Sequence, residues 1–231
     1  MHDGRRARVG LIIPALDEEV AIGEVVRAVP PGLVDEVLVV DNGSTDRTAA
    51  AARAAGARVV REPRRGYGAA CWAGVQALDP AVTAVAFLDG DGSQDPAELP
   101  RLLAPLARGE ADLVLGIRRF DRGAGDHPRH AVLGTRAVAL VLRWRFGVAL
   151  RDLGPFRAIR RECLEALDLR DRTYGWPVEM VAKAARRGLR IAQVEVTQRP
   201  RRGGRSKVAG TVRGSLAAGW RFVRVAWREC R

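Results

Sequence analysis

Between Val9 and Gly116 five short apolar runs alternate with four helical stretches, and that rhythm leaves few folds open. Val9–Pro14, Val37–Val40, Ala57–Val60, Val82–Leu88 and Ala111–Gly116 are brief, rich in β-branched or aliphatic residues and bounded by turn formers or charge, as buried strands are. Between them Glu18–Val29 sets Val20, Ile22, Val25, Val26 and Val29 on a helical face, and the alanine-rich Thr45–Ala55 stops at Gly56. Gly68–Leu78 and Pro96–Ala107 complete the series. Strands that are apolar throughout, rather than at alternate residues, are covered on both faces. The pattern predicts an α/β fold with a Rossmann-like, mostly parallel central sheet flanked by helices.

In such a sheet ligands collect just outside the carboxyl ends of the strands. Acidic residues at those ends are therefore the first candidates for chemistry. Asp17-Glu18-Glu19 follows the first strand, Asp41 to Asp46 the second, and Asp89-Gly90-Asp91-Gly92 the fourth. Asp89 and Asp91, with glycines leaving room, form a hard oxygen site suited to Mg²⁺ or Mn²⁺, which can stabilise a departing diphosphate. Aspartate and glycine after a strand are also ordinary turn chemistry. Ser44 or Thr45 is expected to cap the second helix, and Asp95 before Pro96 the fourth. Capping does not explain why three acidic loops share one edge.

After Arg118 the pattern changes. Residues 119–130, with His127 and His130, read as a polar surface loop, and 131–146 as an amphipathic helix. Residues 154–197 supply a strand, a helix over about 176–187 and a strand at Leu189–Val196, before a basic loop from Arg199 to Lys207. Apolar residues at 208, 212, 216, 220, 223 and 227 then mark a closing helix. Its Trp220, Phe222 and Trp227 lie among Arg221, Arg224 and Arg228, a mixture that suits an anionic membrane surface, the domain's own core or another subunit of an oligomer.

The net charge of +12 permits phosphates, anionic lipid or nucleic acid as partners. With aromatics at 5% and no nucleic-acid motif, a specific nucleic-acid partner is not expected. Cys71, Cys163 and Cys230 are far apart and form no Cys-x-x-Cys pair, which argues for a reducing compartment and against structural zinc. The amino terminus lacks a signal-peptide apolar region, and Arg136, Arg143 and Arg145 interrupt the longest apolar stretch, so a transmembrane helix is not expected. The expected location is the cytoplasm, with peripheral contact at the inner face of the plasma membrane.

Ile13-Pro14-Ala15-Leu16-Asp17-Glu18-Glu19, Val40 to Thr48 and Leu88 to Gly92 closely resemble, in order and spacing, three signatures of family-2 glycosyltransferases with the GT-A fold. The resemblance continues through Asp152 to Ala158 and Gly203 to Lys207, and so covers about residues 8–210. Among such enzymes the chain looks most like polyprenyl-phosphate mannosyl- and glucosyltransferases, although those often carry carboxyl-terminal transmembrane helices. The resemblance implies an inverting, metal-dependent transfer from a UDP- or GDP-sugar to a polyprenyl phosphate, with a small soluble acceptor as the alternative. It implies that Pro14, Ala15 and Glu18 line the nucleotide pocket and that Asp41 hydrogen-bonds the base or ribose. Asp89 would lie near ribose, diphosphate and metal, Asp91 would ligate the metal, and Arg205 and Lys207 would fold over the diphosphate. Asp17 stands where the family usually has Asn, and Ser93 where many polyprenyl-phosphate enzymes have Gln.

This division gives a nucleotide-sugar half over 8–118, an acceptor half over 119–207 and an amphipathic helix over 208–231, all in one domain. For a hydroxyl acceptor a carboxylate base is needed, and Glu179 at the start of a helix is the candidate. For a phosphate acceptor no base is needed, and Arg118 and Arg136 are candidates to grip it. A sugar-nucleotide pyrophosphorylase would carry a glycine-rich loop where this chain has Pro14 to Glu19. A basic binding protein with a degenerate transferase core rests on charge alone.

Overall fold

The computed structural model describes residues 7–120, 140, 143–145 and 147–202. Strand β1 (Val9–Ala15) shows how the sequence buries a sheet on both faces. Leu11 and Ile13 enter one apolar core, Ile12 enters the other, and all three are inaccessible to solvent. In β2 (Glu36–Asp41) Leu38 and Val40 oppose Val39, and in β4 (Ala84–Phe87) Val85 and Phe87 oppose Ala84 and Ala86. Successive strand side chains point to opposite faces. A continuous apolar run is therefore what a doubly covered strand requires.

Helices α1 (Ile22–Arg27), α2 (Thr48–Ala54) and α4 (Leu99–Ala107) supply the first core through Ile22, Val25, Ala52, Leu99 and Leu102. Helices α3 (Tyr67–Ala77), α5 (Arg161–Ala166) and α6 (Trp176–Arg186) supply the second through Cys71, Val75, Leu164, Trp176 and Met180. Full burial of the valine, leucine, isoleucine and methionine side chains among these stabilises by about 1.5–3 kcal/mol each.

With β3 (Arg58–Arg61), β5 (Leu113–Phe120), β6 (Arg157–Arg160) and β7 (Ile191–Gln198), the seven strands run in the order β3-β2-β1-β4-β6-β5-β7. β1 to β4 are mutually parallel, β6 runs antiparallel between β4 and β5, and β7 is parallel to β5. The mostly parallel sheet expected from the sequence is present. β5 runs past Gly116 to Phe120 because its ladder with β7 continues to the Phe120–Gln198 pair. The six-residue α5 was not anticipated, being too short to show a periodic face.

Asp95 caps the 3₁₀ turn before α4 as expected: its Oδ1 accepts the Ala97 N–H at 3.0 Å, with Pro96 in the first helical position. Among the described residues no helix is long and apolar enough to cross a membrane. The helix expected at 208–231, and most of that at 131–146, lies outside the described residues.

The start of α3 is fixed by backbone contact with the segment before α6. The Gly68 N–H donates to the Thr173 carbonyl at 3.0 Å and the Ala69 N–H to Arg172 at 2.8 Å. A Cβ on Gly68 would lie 2.4 Å from the Asp171 carbonyl oxygen, so the approach needs a residue without a side chain. Gly68→Ala is expected to cost about 1–3 kcal/mol by overpacking. A denaturant or thermal melt would read this as a Tm lower by roughly 3–10 °C.

Candidate active site

Because β1, β2 and β4 are parallel, the loops that leave them open on one edge of the sheet. β5 and β7 leave at the same edge, and β6 enters there. Loops 15–19, 41–48, 88–95, 152–156 and 198–202 therefore surround one mouth.

The first two acidic loops are laced together. Asp17 adopts φ +51°, a left-handed conformation that Asp and Asn tolerate better than most residues. Its Oδ1 accepts the Thr45 N–H at 2.7 Å, and its own N–H donates to Ser44 Oγ at 3.0 Å. The Glu18 N–H donates to Thr48 Oγ1 at 2.8 Å. Ser44 and Thr45 thus bind Asp17 instead of capping α2. The helix begins later than expected, at Thr48, whose N–H donates to Asp46 Oδ1 at 2.9 Å.

Asp41, at the tip of β2, is 8% exposed and accepts the Ser44 N–H at 2.9 Å. Pro14 and Ala15 end β1, and Ala15 pairs in register with Asp41. Asn42, which sequence reasoning passed over, donates to the Glu62 and Arg64 carbonyls at 3.0 and 2.8 Å and accepts the Gly66 N–H at 2.8 Å. It ties the loop before α3 to the same mouth.

Asp89 and Asp91 follow β4. Asp91 is 6% exposed; its Oδ1 accepts the Ser93 N–H at 2.9 Å, and its Oδ2 lies 2.7 Å from Arg201 Nη1. Arg201 Nη2 lies 2.5 Å from Glu18 Oε1, so one guanidinium joins the first and third acidic loops. Burial, and then the Asp91 charge, push the Asp89 carboxyl up to about 7, against the opposing pull of Arg201, Arg157 and Arg118. The Asp89 N–H donates to Gln94 Oε1 at 3.2 Å, while Ser93 meets Asp91 through its backbone. Two crowded carboxylates, one already holding a cationic side chain, fit a small hard cation. Among the described residues no group of three His, Cys, Asp or Glu could hold an ion. A Mg²⁺-like ion on Asp89 and Asp91 would complete its shell with water and phosphate oxygens, as such ions commonly do.

At the same mouth Arg118 forks onto Asp152, with Nε 2.7 Å from Oδ2 and Nη2 2.8 Å from Oδ1. Burial opposes ionisation of Asp152, but the Arg118 hydrogen bonds and charge outweigh it and hold the carboxyl below its usual range. Arg157, fully buried, donates to the Gly154 carbonyl at 2.5 Å and the Pro177 carbonyl at 3.1 Å, fixing the chain that carries Asp152. Cys71 is buried near Asp89, and burial followed by that charge pushes its thiol well up, which makes it unreactive.

Glu179 requires a correction. It is 0% exposed; Oε2 accepts the Arg170 and Asp171 N–H groups at 3.0 and 2.7 Å, and Oε1 lies 2.9 Å from Lys183 Nζ. The carboxylate faces into the protein and clamps the segment before α6, so it is not placed to take a proton from an acceptor. Arg136, Arg205, Lys207, His127 and His130 lie outside the described residues.

Residues 11–168 match the family described as Glycosyl transferase family 2. An uncharacterized glycosyltransferase of Mycobacterium tuberculosis is 45% identical over 211 residues, 91% of this chain and 94% of the relative. The undecaprenyl-phosphate mannosyltransferase of Micrococcus luteus is 35% identical over 94% of this chain and 98% of its own length. Among solved structures, glucosyl-3-phosphoglycerate synthase from M. tuberculosis, in complex with Mn²⁺, UDP and glucosyl-3-phosphoglycerate, is 30% identical. It superposes with a TM-score of 0.79 over 97% of this chain and 80% of its own, and the architecture is the GT-A fold.

Two variants test these placements. Glu179→Gln loses a buried ion pair and one strong acceptor, which should cost about 2–4 kcal/mol. Its Tm should fall by roughly 5–15 °C; an unchanged Tm with a large loss of kcat would instead mark Glu179 as a base. For Asp89, the folded pKa near 7 lies above the unfolded 3.8, so the folded state binds more protons between these values. That stability is fully present below the unfolded value and is lost as pH rises through the folded one. In EDTA, Asp89→Asn should melt above wild type at about pH 8, and the gap should narrow toward about pH 5.

Proposed function

The chain belongs to glycosyl transferase family 2, and from that footing we propose that it moves a sugar from a UDP-sugar to the phosphate of a polyprenyl phosphate, with inversion. The observation that carries the reading is the convergence of Glu18, Asp89 and Asp91 at the carboxyl edge of the sheet, around one cationic centre. Such a transfer needs a neutralised leaving diphosphate, an anomeric carbon held in line and a nucleophile on the opposite face. Pro14, Ala15 and Glu18 receive the nucleotide, and Asp41 hydrogen-bonds its base or ribose. A Mg²⁺ or Mn²⁺ ion held by Asp91, with Asp89 beside it, supplies the positive charge that stabilises the departing diphosphate. The cationic side chains of Arg205 and Lys207 neutralise that diphosphate, as the family resemblance implies.

UDP as the nucleotide is supported by the likeness to the UDP- and Mn²⁺-bound synthase. The polyprenyl phosphate is supported by the likeness, along nearly the whole of both chains, to the undecaprenyl-phosphate enzyme. The burial of Glu179 favours the same acceptor, because a phosphate oxygen is already anionic and needs no base. Arg118 and Arg136 hold that phosphate, and the enzyme works as a peripheral protein at the inner face of the plasma membrane. A second reading, a small phosphorylated acceptor in solution, is favoured by the synthase's complex with glucosyl-3-phosphoglycerate.

Release of nucleoside diphosphate from a panel of UDP- and GDP-sugars, with Mn²⁺ and either undecaprenyl phosphate or 3-phosphoglycerate, separates the two. Turnover on the lipid alone is expected; turnover on phosphoglycerate alone supports the second reading, and use of GDP-sugars alone overturns the donor. Asp91→Asn should lose about 10³-fold or more in kcat, as loss of a major transition-state electrostatic contact does, while keeping its fold. Undiminished turnover would remove Asp91 from the site.

A further inference from the structure

β7 ends at Gln198, and the four residues that follow cross the mouth of the site as a strap. The Arg199 N–H donates to the Ser93 carbonyl at 2.7 Å and the Arg202 N–H to the Asp91 carbonyl at 3.1 Å. Gln198 also bridges Gln94 in antiparallel fashion. Arg199 Nη2 holds Asp95 at 2.8 Å, and Arg202 pairs with Glu24 on α1. Gly92, at φ +72°, admits this approach, since a Cβ there would lie 3.0 Å from the Arg202 side chain.

The strap inserts Arg201 between two carboxylates whose side chains are each 8% exposed, Asp91 at 2.7 Å and Glu18 at 2.5 Å. Asp91 Oδ1 already accepts the Ser93 N–H, so both Asp91 oxygens are engaged. The guanidinium is held by its two terminal nitrogens, while its Nε is buried with no hydrogen-bond partner among the described residues. A buried donor left unpaired is unfavourable. This arrangement therefore holds Arg201 in place without satisfying it fully.

We propose that Arg201 is the site's built-in counter-cation: it occupies Asp91, and a divalent metal gains that carboxylate only by exchange with the guanidinium. This rests on Asp91 being a metal ligand. A guanidinium and a divalent ion on one partly dehydrated carboxylate repel each other strongly, so the two states exclude one another. The pairs Arg199–Asp95 and Arg202–Glu24 do not involve Asp91 and keep the strap beside the mouth after Arg201 leaves. Metal affinity in the absence of nucleotide is lowered by the fraction of time Arg201 holds the carboxylate.

Mn²⁺ binding without nucleotide, followed by the electron paramagnetic resonance of the free ion, tests the exchange in wild type, Arg201→Gln, Arg201→Lys and Asp91→Asn. If Asp91 is free of Arg201 about one-tenth of the time, Arg201→Gln should bind Mn²⁺ roughly tenfold more tightly, with Arg201→Lys between it and wild type. Asp91→Asn should lose the site. Equal or weaker binding by Arg201→Gln, with binding lost in Asp91→Asn, overturns the exchange and leaves the metal site standing. Binding by Asp91→Asn at wild-type strength overturns the metal site itself.

Discussion

Strands covered on both faces have no room for polar side chains along their length, and this constraint arranges the rest of the molecule. Leu11 to Ile13, Leu38 to Val40 and Val85 to Phe87 are all enclosed between helices. Groups able to carry charge must then sit where the strands end, and parallel strands end together. Glu18, Asp41, Asp89 and Asp91 meet at one edge for that reason, although the three loops that carry them are far apart in sequence.

Gathering carboxylates in a partly dehydrated mouth is costly, and the chain meets that cost with arginines of different character. Arg118 is locked to Asp152 by two parallel hydrogen bonds. Arg157 is buried and holds the backbone around Gly154 and Pro177. Arg201 bridges Glu18 and Asp91 from a strap at the end of the sheet. Other arginines brace the scaffold, as Arg190 and Arg160 do around Asp112. Many of the chain's arginines thus serve its own carboxylates and carbonyls.

The sheet and its acidic edge were legible in the sequence because both arise from local patterns: apolar runs, and aspartates directly after them. The family was legible for the same reason, since its signatures lie on those loops. What stayed hidden depends on pairings across the fold. Ser44 and Thr45 look like helix caps until Asp17, in a left-handed turn, takes their hydrogen bonds. Glu179 looks like an exposed first-turn acid until the Arg170 and Asp171 amides turn it inward. The basic loop after β7 is plain in the sequence, but the family pattern falls on Arg205 and Lys207 and leaves Arg201 unmarked. Its position just past the carboxyl end of a strand was the available signal.

In the proposed function the Asp89–Asp91 edge gathers a divalent cation and a nucleoside diphosphate into one site. The most direct measurement is the anomalous difference map of a crystal of this protein grown with Mn²⁺ and UDP. One strong peak is expected within coordination distance of the Asp91 carboxylate and of both UDP phosphates, with the nucleotide beside Asp41. A Mn²⁺ peak elsewhere, or UDP bound away from these strand ends, would contradict it.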